Sequence, residues 1–248
     1  MSGHSKWATI KHKKGAADKA RGKLFAKLAR QIEVSAKAGG DIDANPTLRT
    51  AVQKAKAARM TNDAIDRAIK RGTGEAGGDS YESIMYEGYA PGGVALMIDV
   101  LTDNRNRTGA EIRGVFTKLG GSMAEPGAVS WQFARRGIIV TAGGVDEDIV
   151  MTAALEAGAD DVIDDGSAFR VVTDPSVVYD VKTALDDAGI EVISADAPLV
   201  SDNLVPVTDS GDARSVLRVI EALEDNDDVQ DVFSNFDMAD DVLEAAAS

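Results

Sequence analysis

The sequence contains no cysteine among its 248 residues. A chain without cysteine has no disulfide framework, no thiolate nucleophile and no cysteine-ligated zinc or iron–sulfur site. This absence fits the reducing environment of the cytoplasm, where we expect the protein to act.

A secretion signal and long apolar runs are also missing. The first residues, MSGHSKWATIKHKK, lack the apolar core of a signal peptide. No stretch approaches the roughly 20 apolar residues that a membrane-spanning helix needs. We therefore expect a protein that is neither secreted through a signal peptide nor embedded in a membrane.

Residues for catalysis or metal binding are few. Histidine occurs only at His4 and His12, among lysines that repel a metal cation and disfavour protonation. The GxGxxG match at 72–77 follows a predicted helix rather than a strand, so its glycines are not placed to bind phosphate. The aspartate pairs at 160–161 and 164–165 could bind a hard cation, although a solvated surface is favoured. The sequence predicts no enzyme activity, no metal and no cofactor.

Positive charge is concentrated at one end of an acidic chain. The formal net charge is −14, but residues 1–75 hold 17 of the 27 basic residues and 7 of the 41 acidic ones. The first 75 residues therefore carry +10 and the remainder −24. Such asymmetry is typical of a module for nucleic acid, or another anionic surface, attached to a body of opposite charge.

The basic region is predicted to be helical after an N-terminal tail of about 15 residues. Residues 16–38 predict a helix with apolar side chains on one face and a ladder of positive charge on the other. We expect this ladder to face solvent. Asn45–Pro46 is a typical helix start, and a third helix is predicted at about 62–71, so the three should form a small bundle. The ladder consists of Lys19, Lys23, Lys27 and Arg30.

Beyond the glycine-rich linker at 72–78, the hydrophobic period changes from helical to strand-like. We predict strands near 83–89, 94–101, 128–133, 137–141, 168–173, 190–195 and 228–234. Helices are predicted near 105–119, 146–157, 175–188 and 212–224. The pattern predicts an α+β fold: a helical module at 1–75, then two ferredoxin-like α+β sandwiches. The second, at 132–205, would be inserted in the first, formed by 79–131 plus 206–248.

The candidate nucleic-acid site lies in the tail and the first helix. Lysines neutralise phosphates, and an aromatic side chain among them can stack on an unpaired base. Trp7 could do so, or it could pack on the helical bundle, and the sequence leaves both open. The candidate residues are His4, Lys6, Trp7, Lys11, His12, Lys13, Lys14, Lys19, Arg21, Lys23, Lys27 and Arg30.

A secondary candidate is the segment DNRNRT at 103–108, between a predicted strand and helix. Arg105 and Arg107 could hold a phosphate beside the helix N-terminus. Alternatively, the Asp and Asn cap that helix while the arginines pair with the acidic body, and we prefer this second interpretation.

Several motifs together resemble the YebC/PmpR family of probable transcriptional regulatory proteins, which includes a mitochondrial translational activator of cytochrome oxidase. The resemblance is carried by GHSKW (3–7), IKHKK (10–14), AIKRGTG (68–74), YEGYAPGG (86–93), LTDNRNRT (101–108) and PGAVSWQF (126–133). It is most specific through about residue 137. One departure is ARMTND at 58–63, where the family usually has Asn-Met-Pro-Lys.

The resemblance implies three domains and no catalytic activity. Family members are described both as DNA-binding transcriptional regulators and as ribosome-associated factors that help translation through stretches such as proline runs. Lysine outnumbers arginine 8 to 2 in the first 37 residues, which favours phosphate contacts over base readout and so RNA or the ribosome. A third hypothesis is an acidic scaffold that binds a basic protein.

Overall fold

The computed structural model describes residues 17–77, 81–166 and 168–247. Its helices are α1 (Ala17–Ala36), α2 (Pro46–Ala57), α3 (Asn62–Gly72), α4 (Arg105–Leu119), α5 (Glu147–Glu156), α6 (Val178–Asp187), α7 (Ser210–Glu224) and α8 (Asp240–Ala247). Its strands are β1 (Glu82–Tyr89), β2 (Ala95–Thr102), β3 (Ser122–Ala124), β4 (Phe133–Arg135), β5 (Gly137–Thr141), β6 (Ala159–Asp164), β7 (Phe169–Thr173), β8 (Val192–Asp196), β9 (Leu199–Ser201), β10 (Val205–Pro206), β11 (Val229–Ser234) and β12 (Phe236–Asp237). Short 3-10 turns lie at Pro91–Gly93 and Ser130–Gln132. None of the helices in these ranges has the length and apolar character of a membrane-spanning segment.

Helices α1, α2 and α3 form the N-terminal helical unit that the sequence predicts. The side chain of Asn45 caps α2 by accepting a hydrogen bond from the amide of Leu48, and Thr61 caps α3 in the same way. The apolar faces meet in a core of their own. Its most buried large side chains are Leu28, Ile32, Leu48, Val52 and Ile65.

The first sheet contains strands from distant parts of the chain. Its order is β11-β2-β1-β3, and all of its pairings are antiparallel. Helices α4, α7 and α8 cover one face, where Ile98, Phe116 and Ile220 are fully buried in a shared core. A smaller cluster with Met97, Val129 and Phe233 packs on the other face.

The second sheet is continuous in sequence. It has the order β6-β7-β5-β8, with α5 and α6 packed on it around Ile139, Val171 and Leu185. This is the βαββαβ connectivity of a ferredoxin-like unit. The first sheet differs from that expectation, since β1 and β2 form a hairpin instead of being separated by a crossover helix.

Several details depart from the predicted elements. Helix α8 and the short strands β3, β9, β10 and β12 were not predicted. The predicted strand at 128–133 is wrong: residues 130–132 form a 3-10 turn, and the strand begins only at Phe133. Strand β6 was not predicted, because its sequence ADDVID contains three aspartates and is typical of a loop. This strand lies at the sheet edge, where alternate side chains reach water.

Gly88 in β1 provides a test of the first sheet. A Cβ there would lie 2.5 Å from the Phe116 ring and 2.8 Å from the Ser122 carbonyl oxygen. Because that ring is enclosed in the core, Gly88→Ala should lower the free energy of unfolding by about 2 to 3 kcal/mol in urea titrations. Gly114→Ala is the matched control: nothing lies within 4 Å of a Cβ there, so helix propensity should make it about 0.5 to 1 kcal/mol more stable. Equal effects of the two changes would contradict this packing.

Candidate nucleic-acid interface

Three residues of the positive ladder contact the acidic segment 224–228, which begins at the last residue of α7. The Lys23 ammonium donates to the Asp225 carbonyl and lies 3.2 Å from that residue's carboxylate. Lys27 donates to the carbonyl of Glu224 over 3.1 Å. These carbonyls stand at the C-terminal end of α7, where the helix dipole favours a cation.

Arg30 makes the deepest contact of the ladder. Its guanidinium donates to the carbonyl of Asp227 over 2.6 Å and to the carboxylate of Asp228 over 3.0 Å. It also lies 5.3 Å from the centre of the Tyr81 ring, within cation–π range. Arg30 therefore contacts the body at two places, at Tyr81 just after the linker and at the acidic segment 224–228.

The expectation that the ladder faces solvent is wrong for these three residues. The side chains of Lys23 and Arg30 are only 31% and 22% exposed. The amphipathic pattern identifies a polar face, but the same pattern results whether its partner is water or an acidic loop about 200 residues away. Arg21 is exposed, and the side chain of Lys19 lies outside the described part of the structure. The candidates of the tail, from His4 to Lys14, also lie outside the described residues.

Asp228 is the buried centre of this junction. Besides Arg30, its carboxylate accepts hydrogen bonds from Thr102 (3.1 Å), Thr108 (2.6 Å) and Arg107 (2.5 Å). Burial would raise the pKa of this carboxyl, but the hydrogen bonds outweigh it and hold the pKa below its ordinary value. The carboxylate thus stays ionised and links the end of β2, the start of α4 and helix α1.

The DNRNRT segment mainly supports the helix and the junction. Asn104 caps α4 by accepting from the amide of Arg107, and Asp103 pairs with the Arg107 side chain at 2.9 Å. Hydrogen bonds from Arg107 to Asp228 and Asp103 raise the pKa of its guanidinium. Arg107 therefore pairs with the acidic body although 44% of its side chain is exposed. Arg105 is exposed as well.

Lys54 makes a second contact between the helical unit and the body. Its ammonium lies 3.1 Å from the carboxylate of Asp196 in β8 and 3.9 Å from that of Asp231 in β11. The attraction of Asp231 and Asp196 raises the pKa of Lys54 despite its burial. This one side chain bridges the helical unit to both sheets.

Other basic residues of the helical unit were not singled out from the sequence. Arg67 and Lys70 are exposed on α3, opposite the buried Ile65 and Ala68. Residues three positions apart lie on the same face of a helix, so this spacing is the sequence signal that could have identified the pair. Lys56 and Arg59, at the end of α2, are exposed as well. Arg59 has a left-handed backbone, with φ of 63°, in the segment where the sequence departs from the family pattern.

Trp131 is an exposed aromatic residue that the sequence did not single out. Its side chain is 72% exposed, and its indole nitrogen donates to the carbonyl of Ala128. The preceding loop is fixed by the buried carboxylate of Glu87, which accepts hydrogen bonds from three backbone amides of residues 127–130. These bonds outweigh desolvation and lower the pKa of Glu87. No sequence pattern distinguishes this Trp from a core residue.

Acidic side chains are abundant, yet they do not assemble a metal site in the described ranges. No group of three or more His, Asp or Glu side chains there could hold an ion. The paired aspartates near 160–165 instead take part in local contacts, such as that between Asp165 and Arg170.

Comparison with family models gives two matches. The model described as the TACO1/YebC protein N-terminal domain matches residues 5–75. The model described as the TACO1/YebC second and third domain matches residues 81–236.

Similar proteins cover nearly the full length. A probable transcriptional regulatory protein from Beutenbergia cavernae is 56% identical, and one from Geobacter sulfurreducens is 52% identical, each over at least 98% of both chains. Among solved structures, the conserved hypothetical protein Aq1575 from Aquifex aeolicus is similar, with a TM-score of 0.79 and 42% identity. That match covers 90% of this chain and 93% of the other.

The junction at Asp228 should appear in the pH dependence of stability. Its folded-state pKa lies below the ordinary 3.8. The stabilisation is therefore complete above that value and is lost as pH falls through the folded pKa. Asp228→Asn should lower the free energy of unfolding at neutral pH by about 1.5 to 3 kcal/mol, since it weakens charged hydrogen bonds. The wild type should approach the variant in acid.

Urea titrations across the acid range measure this difference. Asp160→Asn, at an exposed position of β6, is the control and should change stability by less than about 0.5 kcal/mol. A gap between wild type and Asp228→Asn that stays constant down to the lowest pH at which both fold would contradict the assignment.

Proposed function

The chain belongs to the TACO1/YebC family, and we propose that it is a non-enzymatic regulator of gene expression that binds nucleic acid through its basic helical unit. In the leading form of the proposal, the protein is a cytoplasmic transcriptional regulator and the nucleic acid is DNA. The curated relatives described above are named probable transcriptional regulatory proteins, which supports this form.

The observation that carries the proposal is the charge split. A net charge of +10 within the first 75 residues is opposed by −24 in the rest. The positive part has an apolar core of its own, and several of its basic side chains, such as Arg67 and Lys70, are exposed. Solubility alone does not require such a concentration of one sign.

We propose that phosphates compete with the acidic segment 224–228 for the ladder. Lys23, Lys27 and Arg30 donate to carbonyl and carboxylate oxygens there, and phosphate oxygens accept hydrogen bonds from the same donors. The lysines of the tail make the first contact with nucleic acid. Its phosphates then replace the oxygens of segment 224–228 as partners of the ladder. Under this proposal the acidic body limits how tightly nucleic acid binds.

The second candidate is a ribosome-associated translation factor that binds ribosomal RNA. The excess of lysine over arginine near the N-terminus favours it, because lysine acts as a point charge along a phosphate backbone while arginine reads guanine edges. Crosslinking in growing cells, followed by sequencing of both DNA and RNA, separates the candidates. Enrichment of promoter DNA supports the first, and enrichment of ribosomal RNA supports the second.

The domain boundaries are also a proposal. We assign residues 1–75 to the nucleic-acid-binding domain, 79–131 plus 206–248 to the first α+β domain, and 132–205 to an inserted ferredoxin-like domain. Separate apolar clusters support the division, and strand β11 beside β2 supports the discontinuity of the first α+β domain.

Salt dependence tests the electrostatic part of the proposal. If about eight phosphates are neutralised, log K should fall against log salt with a slope near −6 to −7. Replacing Lys11, Lys13 and Lys14 with Gln should reduce the magnitude of this slope by about 2 to 3. The slope is measured by the anisotropy of labelled DNA and RNA. The control replaces Arg113, Lys118 and Arg218, which are exposed on the body, and should leave the slope unchanged. An affinity independent of salt would refute the proposal.

A double variant of the acidic segment tests the competition. Asp225 and Asp227 are 87% and 81% exposed, and both lie within 4 Å of Lys23. Asp225→Asn with Asp227→Asn should raise nucleic-acid affinity about three- to tenfold, because the ladder loses competing charges. Asp160→Asn with Asp161→Asn removes the same charge from exposed positions of β6 and should change affinity much less. Equal gains in nucleic-acid affinity in the two variants would indicate a general effect of net charge. That result would contradict the proposed competition between phosphates and the acidic segment.

A further inference from the structure

Helix α5 presents large apolar side chains to solvent. Ile149 is 51% exposed, Leu155 46% and Met151 38%, within a helix of ten residues. Val150 and Ala154 are fully buried against the second sheet. The helix is thus apolar on nearly every side, a pattern typical of a helix covered on more than one face.

An open groove lies between α5 and α6. Its volume is about 770 Å³. Ile149 lines it beside small side chains, which leave room for a larger apolar group to enter. Those small residues are Thr152, Ala153, Ala157, Ala184 and Ala188.

The rim of this groove is acidic. Asp148, Glu156 and Asp187 belong to its lining, and no Lys or Arg among the described residues does. The surrounding unit, residues 132–205, contains 15 acidic and 4 basic residues. An apolar floor with a negative rim excludes phosphate backbones and anionic lipid surfaces as occupants, because both would be repelled.

We propose that the groove between α5 and α6 is a docking site for a basic segment of another protein. The segment inserts a large apolar side chain beside Ile149, and its flanking Lys or Arg side chains approach Asp148, Glu156 and Asp187. A symmetric dimer through this face is disfavoured, because it would bring two acidic rims together. The site therefore differs in sign and in place from the basic helical unit, and it does not depend on nucleic-acid binding.

A synthetic peptide tests the proposal on the full chain. The probe is a labelled Leu/Lys peptide with leucines at i, i+3, i+4 and i+7, so that they share one helical face. One control peptide has the same composition in scrambled order, and another has Glu in place of Lys. We expect the probe to bind with a dissociation constant on the order of micromolar, measured by fluorescence anisotropy. Binding should also shift the amide signals of the groove residues in NMR spectra.

Protein variants locate the binding. Ile149→Ser should weaken the probe about tenfold or more. Leu155→Ser, on the same helix but outside the groove lining, should have little effect. Glu156→Gln with Asp187→Asn provides a second variant that keeps the apolar floor and should weaken binding mainly at low salt. Thermal unfolding of each variant checks that the fold is retained.

Several outcomes would overturn the proposal. These are no binding of the probe, equal binding of the scrambled peptide, equal losses at Ile149 and Leu155, or signal shifts confined to the acidic segment 224–228. Self-association of the protein that Ile149→Ser abolishes would show instead that a second copy occupies the groove.

Discussion

The ionised carboxylate of Asp228 joins the helical unit to the body at their most buried polar contact. A buried charge is costly unless it is paired, and this one is paired from two directions, by Arg30 of α1 and by Arg107 with the threonines of the body. Because these partners belong to separate units, their positions relative to one another are coupled. The contacts of Lys23 and Lys27 with the end of α7 follow from the same placement.

Local sequence signals predicted most of the helices and the central strands. Asn45 followed by proline predicts the start of α2, and the nearly continuous apolar run at 94–101 predicts β2. These features depend on neighbours within a few residues, so a single sequence contains enough information. The acidic strand β6 and the 3-10 turn at 130–132 were not predicted, because tertiary packing overrides local preference there.

The candidate site was less predictable than the fold. The sequence indicates that α1 has a basic face, but it does not indicate that residues 224–228 cover part of that face. The exposure of Trp131 could not be predicted either, because it depends on a loop fixed by Glu87, 44 positions earlier. In both cases the deciding contacts join residues far apart in sequence. Periodicity describes each segment alone and therefore cannot identify them.

The discontinuity of the first sheet has a consequence during biosynthesis. The helical unit and the second sheet complete their cores from contiguous residues, so each can fold as soon as it leaves the ribosome. Strand β2 has to wait for β11, which is made about 130 residues later. Until then Asp228 is absent as well, and the basic face of α1 has no acidic segment against it. The nascent chain therefore passes through a stage in which Lys23, Lys27 and Arg30 lack their acidic partners while the chain is still tethered to the translating ribosome.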